Sequence, residues 1–252
     1  MLRDFSKEEF DILVQAGQSN SEGCGLGDVE KPYAPREDIL YLNNDFTISL
    51  AQEIVSGNYA VGNFALPFAA CYAESGLLRP NRKILILRAA VGGTGFLDHR
   101  WGLHDDLFLR MMEMIGAALA LNRQNRIAAF LWHQGETDAI LGADEKTHAG
   151  HLTVMINAVR ETYGAPALPI VMGDFVQEWK LMNTDICAPV TAAMRNVCAA
   201  AGRARFVETD GLASNRQRMG SLVGEEETIH FCREALYQLG KRYFDAFCMI
   251  LR

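Results

Sequence analysis

The chain has 252 residues, 49% of them hydrophobic and 22% charged, with a formal net charge of -7. That is long enough for a large core within one α/β domain, and the composition excludes a disordered or fibrous chain. The acidic balance disfavours a general affinity for nucleic acid or an anionic membrane, both of which reward a basic face, and no apolar run approaches the roughly 20 residues that span a bilayer.

Residues 1–10 contain no apolar signal core, so a cytoplasmic location is expected. Phe10 and the run Ile12-Leu13-Val14 follow, interrupted only by Asp11, a pattern that predicts a strand buried on both faces of a parallel sheet. The run stops at Gly17-Gln18-Ser19-Asn20, a small-residue turn that presents one hydroxyl. Ligands of open parallel sheets bind beyond the carboxyl ends of the strands, so Ser19 is expected at the mouth of a cleft.

Further strands are expected over residues 83–88, 127–132, 168–172 and 205–208. Helix-length segments with apolar residues at helical spacing cover 64–78, 106–122, 144–163, 189–201 and 231–251. The alternation is a βαβ rhythm, which predicts an α/β fold with a parallel sheet, and the absence of a linker or repeat makes residues 1–252 one expected domain. Gly-rich irregular stretches at 21–27, 92–102, 135–142 and 173–183 follow the strands, and in a parallel sheet these loops converge on one edge. The six cysteines form no CxxC pair and no tight framework, so reduced thiols are expected; Cys24, in the loop after Ser19, is the one expected to be exposed.

Several of these segments hold the polar residues of an acyl-transfer site. After Ser19, the run Arg88-Ala-Ala-Val-Gly-Gly-Thr-Gly-Phe96 places adjacent glycines where a backbone N–H can approach a ligand; it is not GxGxxG, so a dinucleotide site is a poor explanation. In Trp132-His-Gln-Gly-Glu-Thr-Asp138, Gln134 offers an amide to a developing oxyanion, while Glu136 and Asp138 are expected to tie the loop to backbone donors. Late in the chain, Glu227 and His230 lie three residues apart, close enough to meet on one turn. A carboxylate holding Nδ1–H leaves Nε2 free as a base; the plain alternative is a solvated acidic run beside a helix-start histidine. The order Ser, acid, His also occurs in α/β hydrolases, although Gly-Gln-Ser-Asn-Ser is not a GxSxG elbow.

GQSN, VGGTGF, WHQGETD and the final ETIHF together resemble the successive blocks of the SGNH-hydrolase superfamily, and within it the sialate O-acetylesterase and carbohydrate esterase family 6 branch. The blocks run from Gly17 to His230, nearly the whole chain. The resemblance implies a flavodoxin-like three-layer α/β/α sandwich with a central parallel sheet of about five strands, and an enzyme that removes O-linked acetyl groups from sugars through a serine acyl-enzyme. By position it implies Ser19 as nucleophile and His230 as base, with the Ser19 amide, the Gly93 amide and the Gln134 side chain as the oxyanion hole. The family usually places Asp three residues before the histidine, where this chain has Glu227. Glu227 is the expected third member, with Glu226, Asp210 or a Ser-His pair alone as alternatives.

For the substrate, Trp101 and Trp179 are expected to stack on a sugar ring, with His99, Arg100 and His104 as polar contacts; rim or core packing is the alternative, and it is the expected role of Trp132. His148 and His151, near Asp144 and Glu145, are expected on a solvated helix face, and neither a metal nor another cofactor is expected. A small acetylated oligosaccharide or sialic acid is expected over an intact polymer, and self-association remains open. Two rivals remain: an esterase or thioesterase for small acyl groups unrelated to sugars, and a carbohydrate-binding protein that has kept the fold and lost turnover.

Overall fold

Strand β1, Glu9–Gly17, forms the centre of a seven-stranded sheet and is buried from Phe10 onward. A computed structural model describes residues 4–30 and 33–252. After β1 come α1 (Ser19–Glu22), β2 (Gly25–Asp28), β3 (Ile39–Leu42), β4 (Ile48–Leu50), β5 (Ile54–Ser56), β6 (Tyr59–Gly62) and α2 (Ala65–Glu74). The middle of the chain forms β7 (Arg82–Arg88), α3 (Asp106–Leu121), β8 (Arg126–His133), α4 (Glu136–Ile140) and α5 (Glu145–Thr162). The last third forms β9 (Ile170–Gly173), α6 (Gln177–Met182), α7 (Thr184–Ala200), β10 (Ala204–Val207), α8 (Asn215–Met219) and α9 (Arg233–Leu251).

The sheet order is β10-β9-β8-β1-β7-β3-β4. Its β7-β1-β8-β9-β10 part comprises the five predicted strands; counted in chain order they stand 2-1-3-4-5, the flavodoxin-like arrangement. The expected sheet of about five strands is extended by two. β3 adds in parallel outside β7, and β4 returns antiparallel to β3. A separate antiparallel sheet, β2-β6-β5, was also not anticipated. These added strands have only three or four residues each, too few for a period-two pattern to stand out.

Side chains alternate across the sheet, and β8 makes the three layers plain. Trp132 points to the α5 side, where its ring meets Phe96 and Trp101. His133 points the other way, to the Tyr243 hydroxyl of α9 at 3.0 Å. On that second face α2 packs along α9, with Phe68 edge-on to Phe244 and Phe247. Asp11 is tolerated inside β1 because Arg82 Nε (2.7 Å), Arg126 Nε (2.8 Å) and the Tyr72 hydroxyl (2.6 Å) all donate to it.

Helix boundaries differ from expectation mainly at two places. α2 ends at Glu74, and α7 begins at Thr184, so that Pro189 sits inside the helix and not at its start. Three of the stretches expected to be irregular contain short elements: β2, α4 and α6.

Candidate active site

Gly17 ends β1 at a φ of +126°, where an added Cβ would stand 2.0 Å from the His133 carbonyl oxygen. Only glycine lets β1 pass β8 that closely. The next residue, Gln18, donates its N–H to that same carbonyl at 2.9 Å, and its side-chain oxygen accepts from Thr137 N at 3.1 Å. The loop after β1 is thereby stitched to the loop after β8. Ser19 then opens α1 half-buried, and its N–H, at the first helical position, has no intrahelical acceptor.

His230 reaches this hydroxyl from the far end of the chain. Its Nε2 lies 3.1 Å from Ser19 Oγ, and its Nδ1 lies 3.1 Å from Glu227 Oε2. A carboxylate accepts, so Nδ1 carries the proton and Nε2 presents its lone pair to the Ser19 O–H. Glu227 is held in turn by Asn215 Nδ2 at 2.7 Å. Glu226 and Asp210, the alternative acids, are exposed. The extra methylene of Glu227 is accommodated because the residue lies in a short 3-10 turn, Glu225–Thr228, immediately before the histidine.

Two asparagines that sequence reasoning passed over hold this arrangement. Asn20 is fully buried and straddles His230: its Nδ2 donates to the Ile229 carbonyl at 2.9 Å, and its Oδ1 accepts from Phe231 N at 3.0 Å. Asn215 donates its backbone N–H to the His230 carbonyl at 2.7 Å, and its side chain also bonds Leu26 N and the Cys24 carbonyl. The GQSN block named Asn20, but its partners on either side of His230 lie more than 200 residues away in sequence.

Gly93 is exposed at a φ of +69° in the loop after β7, with open space where a side chain would be. Gly92 N donates to Glu22 Oε2 at 2.7 Å, which fastens this loop to α1, and an added Cβ at Gly92 would stand 3.5 Å from Ser19 Cβ. Asp138 does tie the loop to backbone donors, accepting from Phe96 N at 3.0 Å and Leu97 N at 2.8 Å. Gln134, fully buried, commits one N–H to Asp138 Oδ2 at 2.8 Å. The other is shared loosely between the Thr94 carbonyl at 3.3 Å and Gln18 Oε1 at 3.4 Å, beyond the usual N–H···O range of about 2.7–3.2 Å.

Other expectations are corrected. Glu136 bonds no backbone donor outside its own loop; its Oε1 takes the Asn20 amide at 2.8 Å, and burial raises its carboxyl to about 7. Trp101 is fully buried, with Nε1 on Thr94 Oγ1 at 2.9 Å, and Trp179 is 7% exposed, edge-on to Phe175. Neither presents a face for a sugar, because both fill the core beneath the loops. Arg100 is taken up by Asp106, while His99 and His104 are exposed. His148 is not on a solvated face: it is buried 3.5 Å from Asp138, and burial lowers its pKa to about 4, whereas His151 stacks on Phe96. Cys24 is partly covered and its thiol is pushed well up by burial, so it is not a reactive thiol. Trp132 is fully buried in the core, as expected. Among the described residues no group of three or more His, Cys, Asp or Glu is placed to hold a metal ion, and no helix is long and apolar enough to cross a membrane.

A family model described as carbohydrate esterase, sialic acid-specific acetylesterase, matches residues 9–249. The chain is similar to a probable carbohydrate esterase of Arabidopsis thaliana, 26% identical over 180 residues, which are 64% of this chain and 66% of that protein, just under two thirds of its length. Among solved structures it is similar to NanS, with a TM-score of 0.80 and 20% identity over 97% of this chain and 98% of that one. It is also similar to a carbohydrate acetylesterase from Xanthomonas citri, with a TM-score of 0.59 and 14% identity over 95% of this chain and 56% of that one. At these identities the two structures speak for the shared fold.

Proposed function

Because the chain belongs to the sialic acid-specific acetylesterase family of carbohydrate esterases, we propose that it is a carbohydrate O-acetylesterase working through an acyl-enzyme on Ser19, all within one domain. The observation that carries this reading is the His230 ring standing 3.1 Å from Ser19 Oγ on one side and 3.1 Å from Glu227 on the other. Nucleophile, base and orienting acid are within hydrogen-bond reach in the order acyl transfer requires.

In the first half-reaction His230 Nε2 takes the Ser19 proton as Oγ bonds to the acetyl carbon. Negative charge collects on the former carbonyl oxygen, where the Ser19 N–H, the Gly93 N–H and the loosely held second N–H of Gln134 receive it. The imidazolium, steadied by Glu227, returns the proton to the sugar oxygen as the C–O bond breaks. Water then repeats the sequence on the acetyl-enzyme, releasing acetate and restoring the Ser19 hydroxyl. Asn20 and Asn215 act on the base and its acid by holding the chain on either side of them.

Acetate release from O-acetylated sialic acid and from acetylated xylo-oligosaccharides, with p-nitrophenyl acetate alongside, tests the reading. The expected result is sugar-linked acetate release that Ser19→Ala abolishes. Hydrolysis of p-nitrophenyl acetate with no release from any sugar would replace the reading with that of a general small-acyl esterase.

A further inference from the structure

Asp138 braces two of the three donors proposed for the oxyanion hole. Its Oδ1 accepts from Leu97 N at 2.8 Å, which holds the loop that carries Gly93, and its Oδ2 accepts from Gln134 Nε2 at 2.8 Å. Phe96 N is shared between the two oxygens at 3.0 and 3.1 Å. The fit is close, since a Cβ added at Gly95 would stand 2.7 Å from Oδ1. Leu97 and Phe96 pin the Oδ1 side. The oxygen that steers Gln134 hangs on the Cβ–Cγ torsion of Asp138, whose intrinsic preference is broad.

His148 stands behind that oxygen. It lies near the start of α5, where Asp144 caps the helix by accepting from Thr147 N at 2.7 Å. Its Nδ1 is 3.5 Å from Asp138 Oδ2 with both side chains fully buried, and its ring meets Phe96 edge-on at a centroid distance of 5.7 Å. Neither ring nitrogen has a hydrogen-bond partner. That is costly for a buried polar ring, and a leucine would fill the space without the penalty. Burial outweighs the attraction of Asp138 and keeps the ring neutral, with His151 of the same helix the other titratable group that acts on it. The ring therefore carries one proton, and Nδ1 is the nitrogen that faces an acceptor. A closing movement of about 0.5 Å would bring the pair into the ordinary N–H···O range. Long contacts of this kind commonly tighten in the reacting complex.

We propose that His148 is a positioning residue for the oxyanion hole: through Asp138 it keeps the Gln134 amide aimed at the oxygen that becomes negative. The proposal rests on the reading of Ser19 as the acyl-enzyme nucleophile with Gln134 as an oxyanion donor. Its chain runs from His148 Nδ1 to Asp138 Oδ2 to Gln134 Nε2, and it is separate from the pair that His230 forms with Glu227.

Two substitutions separate the hydrogen bond from the bulk of the ring. His148→Asn keeps an N–H donor near the Nδ1 position, and His148→Leu keeps apolar volume without one. Turnover of p-nitrophenyl acetate is measured per active site, counted by titration to completion with a p-nitrophenyl phosphonate, so that a misfolded fraction does not lower the reading. In His148→Leu kcat should fall about tenfold with KM within about twofold, part of the roughly 100-fold that one oxyanion donor supplies. His148→Asn should keep kcat within about threefold of wild type. On a Gln134→Ala background, His148→Leu should cost less than about a further twofold, because the amide it steers is gone. A full tenfold loss on that background, or a kcat for His148→Leu within about twofold of wild type, would overturn the proposal.

The wild type gives a second reading should His148→Leu not fold. Nitrogen NMR of histidine-labelled protein, assigned against His148→Asn, should show His148 neutral with its proton on Nδ1; a proton on Nε2 would overturn the proposal. Ser19→Ala tells the two possible failures apart. Turnover that survives Ser19→Ala would sink the nucleophile reading and this proposal with it. Turnover that Ser19→Ala abolishes and His148→Leu leaves unchanged would sink the positioning role alone.

Discussion

Two histidine-carboxylate pairs at the same sequence spacing behave differently in this molecule. His133 and Glu136 approach to 3.8 Å with both side chains fully buried, whereas His230 and Glu227 approach to 3.1 Å with side chains 22% and 24% exposed. Burial works against charge on the first pair: the His133 pKa falls to about 3, and that of Glu136 rises to about 7. His133 gives its Nδ1 to the Tyr243 hydroxyl and packs against Phe64 and Phe231; it is part of the core. The second pair keeps access to solvent and to a hydroxyl. Spacing alone makes an acid-histidine pair possible, and desolvation decides whether it can exchange a proton with a substrate.

The largest expected effect breaks the comparison at its functional end. His230→Ala should lower kcat by on the order of 10⁴-fold or more, with the thermal midpoint close to wild type. His133→Ala should do the reverse, costing about 2–4 kcal/mol through the cavity it leaves, as read by denaturant unfolding. A kcat loss in His133→Ala as large as that of His230→Ala, in folded protein, would erase the distinction.

Glu227→Gln comes next, because it keeps the shape of the orienting residue and removes its charge. A loss on the order of 10²–10⁴-fold in kcat is expected, with KM little changed, whereas Glu226→Gln should stay within about twofold. Gln134→Ala should cost on the order of 100-fold in turnover if its second N–H meets the oxyanion. A loss of only a few-fold would leave Gln134 as a brace for the Thr94 turn.

The smallest effect is one of stability and carries a pH signature. The proton on Glu136 is held more tightly in the folded protein, where the carboxyl titrates near 7, than in the unfolded chain, where it titrates near 4.5. Its stabilising contribution is therefore whole below about pH 4.5, falls as pH rises, and levels off above about pH 7. Glu136→Gln removes that fall. Unfolding free energies should show a gain on the order of 2–3 kcal/mol over wild type at pH 8 and almost none at pH 4. An equal difference at both pH values would mean that folding does not raise the Glu136 carboxyl above its unfolded value.

The first pair also explains what the sequence made legible. Ser19, Gly93, Gln134 and His230 stand in loops that follow or face strand ends, and apolar runs bounded by glycines mark such loops well. Glu136 was read as one more loop acid because nothing local reveals that Asn20 is its partner, 116 residues away. Trp101 and Trp179 were misplaced for a related reason. A tryptophan in an irregular stretch looks available, yet the stretches carrying them fold back over Thr94 and Phe175 and bury the rings. The added strands β3 and β4 left no readable pattern, although the turn between them carries Asn43 and Thr47 to the carboxyl end of β3.

The central claim is that His230 makes the Ser19 oxygen a nucleophile, and covalent labelling reads it directly. The protein is treated with a p-nitrophenyl phosphonate, digested and mapped by mass spectrometry, in wild type and in His230→Ala. The account predicts a single adduct on Ser19, formed together with loss of acetate release, and labelling slowed by orders of magnitude in His230→Ala. An adduct on a different residue, or acetate release that survives full modification of Ser19, would contradict it.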